Sequence, residues 1–440
     1  MSGILIQNGY MVNPAENKEG YADIRIRDGI IERIEFRGDS PAPCGKEIMT
    51  PSSDETVVDA SGMYVFPGLV DAHSHFRDPG FTYKEDIESG ARAAAAGGYT
   101  AVVLMCNTNP TVDNVDTLKY VLDKGEKADI HIYSCGSVSI GLKGEILTDM
   151  EALKRNGAVG FTDDGIPLMN GAFLENAMRK SAELKMPVSL HEEDKTLISQ
   201  NGINHGKASE YYGIEGSPKE AEISLIRRDL EIAKKTGAYI DIQHVSAKES
   251  VDLIRSAVLS QKGERRIHAE ATPQHFTLTE DAVIEIGANA KLNPPLRTEE
   301  DRLGIIEGLR DNTIDMIATD HAPHRAEEKS RSITQAPSGM IGLETALSLS
   351  YEKLVLESGL PLMDVIAKLT CNPASVYGLD EGNIAIGKAA NLCLFNSETE
   401  YEKKSFASKS WNSPFTGRRM KGSVVMTICD GKIIYNQSEG

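Results

Sequence analysis

Between Tyr64 and Ala318 the chain alternates eight apolar runs of strand length with longer stretches of helical period, and this alternation limits the possible folds more than any other feature. The runs are Tyr64 to Leu69, Tyr99 to Met105, Ile130 to Cys135, Ala158 to Phe161, Pro187 to Leu190, Tyr239 to Ile242, Ile267 to Ala271 and Ile314 to Ala318. Helical segments such as Ala172 to Leu184, Ala221 to Lys235 and Ser250 to Gln261 separate them. Such alternation over roughly 300 residues implies an α/β fold, a (β/α)8 TIM-type barrel, in preference to a doubly wound open sheet. The two ends read differently. Residues 1–65 and 381–440 are strand-rich, with Asp28-Gly29 and Asp430-Gly431 each set between alternating apolar residues, a strong hairpin signal. Each small set needs a partner to bury its apolar face, so the reading is one small composite β-sandwich domain built from both termini, with the barrel of residues 66–380 inserted between them.

At 440 residues, 40% hydrophobic and 25% charged, the chain has the balance of a soluble globular protein. No apolar run approaches the length of about eighteen residues needed to span a bilayer, and the N-terminus lacks the zones of a signal peptide, which places the protein in the cytoplasm. Cys44, Cys106, Cys135, Cys371, Cys393 and Cys429 are scattered without C-x-x-C pairing, the pattern of reduced thiols. The formal net charge of -18 disfavours nucleic acid and anionic membranes as partners. It also means that a site for an anionic small molecule must supply its own local positive charge.

In a barrel, the chemistry collects at the C-terminal ends of the strands. The first run leads into Asp71-Ala72-His73-Ser74-His75-Phe76-Arg77, where alternation puts His73, His75 and Arg77 on one face. Further ends carry Asn107, Asp163-Asp164, His191-Glu192-Glu193, His244 and Asp320-His321-Ala322-Pro323-His324. Imidazoles and carboxylates in this number suit a pair of zinc ions. Arg77 beside the histidine pair suits a substrate that carries a carboxylate.

The runs Asp71 to Gly80, Cys106 to Pro110, Phe161 to Gly165, Lys291 to Arg297 and Ile317 to His324 fall in the order and approximate spacing of one family. On these motifs the chain resembles the dihydroorotases of the bacterial type I group, in the amidohydrolase superfamily, over nearly its whole length. That resemblance implies Zn2+, two ions per chain with one as the lesser case. His73, His75 and Asp320 would hold one ion, His191 and His244 the other, with Asp164 as bridge. Sequence physics does not separate Asp163 from Asp164; the family position favours the latter. It further implies Asp320 as the general acid and base, and reversible interconversion of N-carbamoyl-L-aspartate and (S)-dihydroorotate in pyrimidine biosynthesis. Arg77, Asn107 and His324 would cradle the retained carboxylate, and Asn293 with the backbone of Pro337, Ser338 and Gly339 would meet the pyrimidine edge. Homodimers and association with a carbamoyltransferase are the partners that the resemblance allows.

The chain departs from the family at several positions. Many superfamily members bridge their metals with a lysine that this sequence lacks, so a plain carboxylate must serve. Ser338 stands where relatives often have a larger apolar residue, Cys106 where they often have proline, and Asn391 at a usual aspartate position. His131, His205, His268, His275 and His321 read as structural, with His275 and His321 as candidates to support the ligands; Glu192 and Glu193 read as a solvated loop face. The rival functions are an allantoinase or dihydropyrimidinase on the same barrel, and an inactive binding partner of a carbamoyltransferase. The former families usually carry the missing lysine, and the latter would be expected to have lost ligands.

Overall fold

The apolar run at Tyr64 to Leu69 is shared between two sheets, and the break at Pro67-Gly68 organises the molecule. The structure, a computed structural model, describes residues 3–39 and 49–439. Strands β1 (Gly3–Asn13), β2 (Lys18–Arg27) and β3 (Ile30–Gly38) form an antiparallel set, and β4 (Glu55–Asp59) and β5 (Tyr64–Pro67) both run parallel to β1. The single strand expected over Tyr64 to Leu69 therefore ends at Pro67. Proline supplies no amide hydrogen to continue the ladder, and a side chain at Gly68 would strike Thr100.

The barrel begins one residue later, with β6 (Leu69–Ser74). It continues through β7 (Tyr99–Leu104), β8 (His131–Gly136), β9 (Ala158–Thr162), β10 (Pro187–Leu190), β11 (Tyr239–Ile242), β12 (Ile267–Ala271) and β13 (Met316–Ile317), each parallel to the one before it. The seam between β13 and β6 is closed chiefly by side chains. Asp71 accepts from Thr319 N at 2.9 Å and Thr319 Oγ1 at 2.6 Å, and His75 N donates to His321 O at 2.9 Å. These bonds register the histidine pair against the Asp320 segment. The eighth strand is shorter than the Ile314 to Ala318 run, because Asp315 is turned to His268 and Ala269 N at the far end.

Beyond the barrel, β14 (Leu392–Glu402), β15 (Arg419–Cys429) and β16 (Lys432–Asn436) pair in sequence, and β14 lies antiparallel to β5. One mixed sheet thus joins the two ends through β5, around a core that includes Ile4, Ile6, Met11, Ile24, Leu392, Leu394 and Ile428. Both Asp-Gly pairs are hairpin turns with positive φ, at 51° and 85° for Asp28-Gly29 and 47° and 70° for Asp430-Gly431. The turns abut one another, with Ala390 N donating to Gly29 O and Gly431 N to Ala390 O.

Four of the described cysteines, Cys106, Cys135, Cys393 and Cys429, are buried free thiols, and burial raises the pKa of each. Cys44 lies outside the described residues. No described helix is long and apolar enough to cross a membrane.

Candidate active site and metal centre

The strand ends deliver all six of the expected ligands to one cluster. Asp164 is central: its Oδ1 lies 3.4 Å from His73 Nε2 and 3.8 Å from His191 Nδ1, and its Oδ2 lies 3.3 Å from His75 Nε2. Asp320 Oδ1 is 3.1 Å from His75 Nε2 and 3.7 Å from His73 Nε2, while His191 Nδ1 is 3.0 Å from His244 Nε2. Three non-glycine residues here hold positive φ: Arg77 at 59°, His244 at 33° and Asp320 at 46°. Such backbone costs on the order of 1 kcal/mol or more per residue, and here it turns each side chain inward at the end of its strand.

The outer nitrogen of three histidines is already engaged. His73 Nδ1 donates to Glu270 at 3.1 Å, His75 Nδ1 to Asn107 Oδ1 at 2.9 Å, and His191 Nε2 to Glu193 at 3.0 Å. Each ring is thereby fixed with its other nitrogen facing the carboxylates, the arrangement that metal-binding imidazoles require. His73 Nε2 is buried with no hydrogen bond of its own. Groups of ligand atoms within 4.8 Å of one another are His73, His75 and Asp320, and His73, Asp164 and His244. The donor set therefore fits divalent cations.

The electrostatics carry the same message. Burial would raise the Asp164 carboxyl, yet His73, His75 and His191 hold it well below the usual carboxylate range. Burial opposes the charge on His73, but Asp164 and Glu270 push its pKa well above the ordinary value. His244, by contrast, is driven well below by burial and then by His191 and His73. The buried carboxylates thus favour positive charge beside them.

Asp163 and Asp164 are separated by their partners. Asp163 accepts from Val138 N at 2.8 Å and Ser139 N at 3.0 Å, and from Ser139 Oγ, so it ties down the loop after β8. Burial raises its pKa to about 6. Asp164 alone faces the ligands.

The expectation of a solvated face at Glu192 and Glu193 is corrected: each is 3% exposed. Glu193 orients His191, and the Glu192 carboxyl is pushed well above its usual value by burial and by Asp229. Two adjacent glutamates look polar in sequence; the groups that bury them come from elsewhere in the chain. Glu270 was missed for another reason, since the seventh strand offered no end residue. Its signal is a carboxylate between two alanines inside a barrel strand; Asp241, between two isoleucines, is another, and accepts from Ser189 Oγ and Tyr377 OH at 2.9 Å.

Arg77 sits beside the cluster, and among the described residues its one side-chain hydrogen bond is from Nε to Pro323 O at 3.4 Å. Asn107, expected on the carboxylate, is engaged with His75 and donates from Nδ2 to Asp164 Oδ2 at 3.0 Å. Nearby, His324 Nε2, Asn293 Oδ1 and Ser338 Oγ are buried without hydrogen-bond partners. His275 holds the Asn293 loop, donating from Nε2 to Pro294 O at 3.0 Å; His321 accepts from Gly342 N at 3.2 Å. His268 and His131 pair with Asp315 and Glu381 away from the mouth, and His205 is exposed.

Two buried lysines hold the loop that carries Pro337, Ser338 and Gly339. Lys291 donates to Ile333 O and Ala336 O at 2.8 Å, and Lys329 to Pro337 O at 2.9 Å and Gly339 O at 2.8 Å. The segment between β14 and β15 also crosses the mouth. Asn412 accepts from His324 N at 3.0 Å and donates to Ala322 O at 3.0 Å and Gly339 O at 3.1 Å. A cavity of about 280 Å³ opens on the cluster, lined by residues including Gly165, His191, Glu193, Lys195 and Asn293. Larger hollows of about 600 and 690 Å³ lie among the outer helices and at the opposite end of the barrel, away from these ligands.

Comparison with known proteins adds a name to this geometry. A family model described as "Dihydro-orotase-like" matches residues 62–250. The dihydroorotase of Clostridioides difficile (strain 630) is 48% identical over 433 residues, covering 98% of this chain and 100% of that protein. That of Clostridium acetobutylicum is 48% identical over 434 residues, covering 98% and 99%, and that of Lactococcus lactis subsp. lactis is 45% identical over 433 residues with the same shares. Among solved structures, the L-hydantoinase (dihydropyrimidinase) from Arthrobacter aurescens superposes with a TM-score of 0.84 at 24% identity, covering 99% of this chain and 97% of that one. The dihydropyrimidinase from Brevibacillus agri gives 0.83 at 21% identity, covering 99% and 95%. These likenesses show the fold.

Proposed function

Because this chain belongs to the dihydroorotase family, we infer that it is a metal-dependent cyclic amide hydrolase, a dihydroorotase that interconverts N-carbamoyl-L-aspartate and (S)-dihydroorotate. Within the family we place it in the bacterial type I group, as a cytoplasmic enzyme using two zinc ions. The observation that carries the substrate assignment is the set of buried polar atoms beside the ligands, His324 Nε2, Asn293 Oδ1 and Ser338 Oγ, that lack partners among the described residues, next to an Arg77 whose one side-chain hydrogen bond among those residues is to Pro323 O. Buried polar groups are almost always satisfied, so these mark where a polar ligand sits.

His73, His75 and Asp320 would hold one ion, His191 and His244 the other, with Asp164 between them. When bound, the ions supply water activation and polarise the ring carbonyl. Asp320 is the proton carrier. Its side chain is 12% exposed, against 4% for Asp164, so of the two it is the more open to solvent. In ring opening, the carbonyl carbon gains the water oxygen, the ring C–N bond breaks, and Asp320 carries the proton of the water to the departing nitrogen. In closure it removes a proton from the carbamoyl nitrogen as that nitrogen attacks the side-chain carboxyl, and returns it to the carboxyl oxygen, which leaves as water when the C–O bond breaks. Arg77 and His324 hold the carboxylate retained on both sides, while Asn293 and the Ser338 loop meet the amide edge.

The test is the purified protein with zinc, offered dihydroorotate, dihydrouracil and allantoin side by side. Turnover of dihydroorotate alone is the expected result; preference for either of the others overturns the assignment.

A further inference from the structure

His324 has one ring nitrogen spoken for. Lys84 Nζ lies 3.2 Å from its Nδ1, and the ammonium is itself paired with Glu328 Oε1 at 3.0 Å. An ammonium has three donors and no acceptor, so in this contact Nδ1 must accept. A neutral imidazole has a single N–H, which is then on Nε2, the atom that is buried and unpartnered.

From this contact and that orphaned atom we propose that Lys84 is a positioning residue for substrate selection: it holds His324 in the tautomer whose Nε2–H points at the substrate carboxylate. The proposal rests on the reading of His324 as a carboxylate ligand. Without Lys84, Glu328 Oε2, 3.8 Å from Nδ1, would draw the proton to Nδ1 and leave a lone pair facing the anion. Burial, then Arg77, Lys84 and Lys329, disfavour a charged ring and drive its pKa far below the ordinary value, against a smaller raising contribution from a backbone bond to Ser338. The backbone is fixed independently, since Asn412 accepts from His324 N and Ser410 Oγ donates to Lys84 O at 2.7 Å. The side-chain contact is therefore the remaining variable that sets what His324 presents.

The test uses zinc-loaded full-length protein labelled with 15N-histidine, with the His324 signals identified by their loss in His324→Asn. In the wild type, Nε2 is expected to be protonated and Nδ1 to show the shift of an accepting nitrogen. In Lys84→Met, which leaves Glu328 Oε2 as the carboxylate beside Nδ1, Nδ1 is expected to gain the proton. The KM for dihydroorotate then rises about ten-fold with kcat nearly constant, as for a lost charge-facing hydrogen bond, while dihydrouracil turnover is unchanged. Lys84→Arg keeps a donor-only cation and is expected to retain the wild-type spectrum and KM. A wild-type Nε2 without its proton, or a tautomer change with no change in KM, overturns the proposal. Equal losses on both substrates also overturn it, by reducing Lys84 to a structural part. An unchanged KM in His324→Asn instead overturns the carboxylate reading of His324, and is recognised because it does not depend on the spectrum.

Discussion

The metal side and the carboxylate side of the barrel mouth are built on opposite principles. On the metal side, each of three imidazoles has its outer nitrogen on a neighbouring side chain and its inner nitrogen on Asp164, Asp320 or His244, so the cluster is oriented before any ligand arrives. On the carboxylate side, the backbone is held just as firmly, by Lys291, Lys329 and Asn412, but the functional atoms are left unpaired. Rigid orientation suits a metal, whose affinity depends on ligand geometry. Buried vacancies on a rigid frame suit selection, because a substrate without the matching group leaves them unsatisfied. Under the proposed assignment, chemistry and choice of substrate reside in different atoms and should be separable by mutation.

The largest expected effect is at the point where both sides meet. Asp320→Asn should lower kcat by about 10³-fold or more, within the range lost with a general acid and base, while zinc measured by elemental analysis falls only in part from about two per chain. A near-normal rate would take the proton from Asp320. Next, Arg77→Met should lower kcat/KM for dihydroorotate by about ten- to several hundred-fold and leave dihydrouracil nearly untouched. Equal losses on the two substrates would dissolve the separation and move Arg77 to the metal side. On that side, Glu270→Gln should weaken zinc binding by about ten- to a hundred-fold in chelator competition, with KM for dihydroorotate unchanged once the metal is saturating.

The smallest effect is a control at the other end of the barrel. His131 is raised to about 9, first by its bond to Glu381, with Asp430 adding to it. A raised folded value means stability that is fully present below the ordinary value of 6.5 and lost as pH rises through about 9. Solvent screens the partly exposed ring, so about 1 kcal/mol is expected, and Tm should fall by about 1–2 °C more between pH 7 and 10 in the wild type than in His131→Gln. Activity per folded molecule should not follow it.

Much of this division was open to a reading of the chain, and the exceptions share a cause. His73 and His75 are adjacent in sequence and announce themselves, and the alternation of strand and helix says where the remaining ligands end up. Contacts between distant segments leave little mark. Glu193 looks like a loop residue until His191 and Ser217 close on it. Lys84 sits among exposed aromatic and polar residues, and only the fold sets it against His324. Tyr64 to Leu69 is one apolar run by composition, but two sheets divide it because Thr100 leaves no room at Gly68.

The strap at Asn412 gives the chain a temporal order. It lies 88 residues after the His324 whose backbone it holds, and in the segment between β14 and β15. During synthesis all six metal donors and the whole barrel precede it. A nascent or truncated chain that stops short of the strap already carries all six proposed donors, but its His324 and Gly339 segments lack the Asn412 anchor.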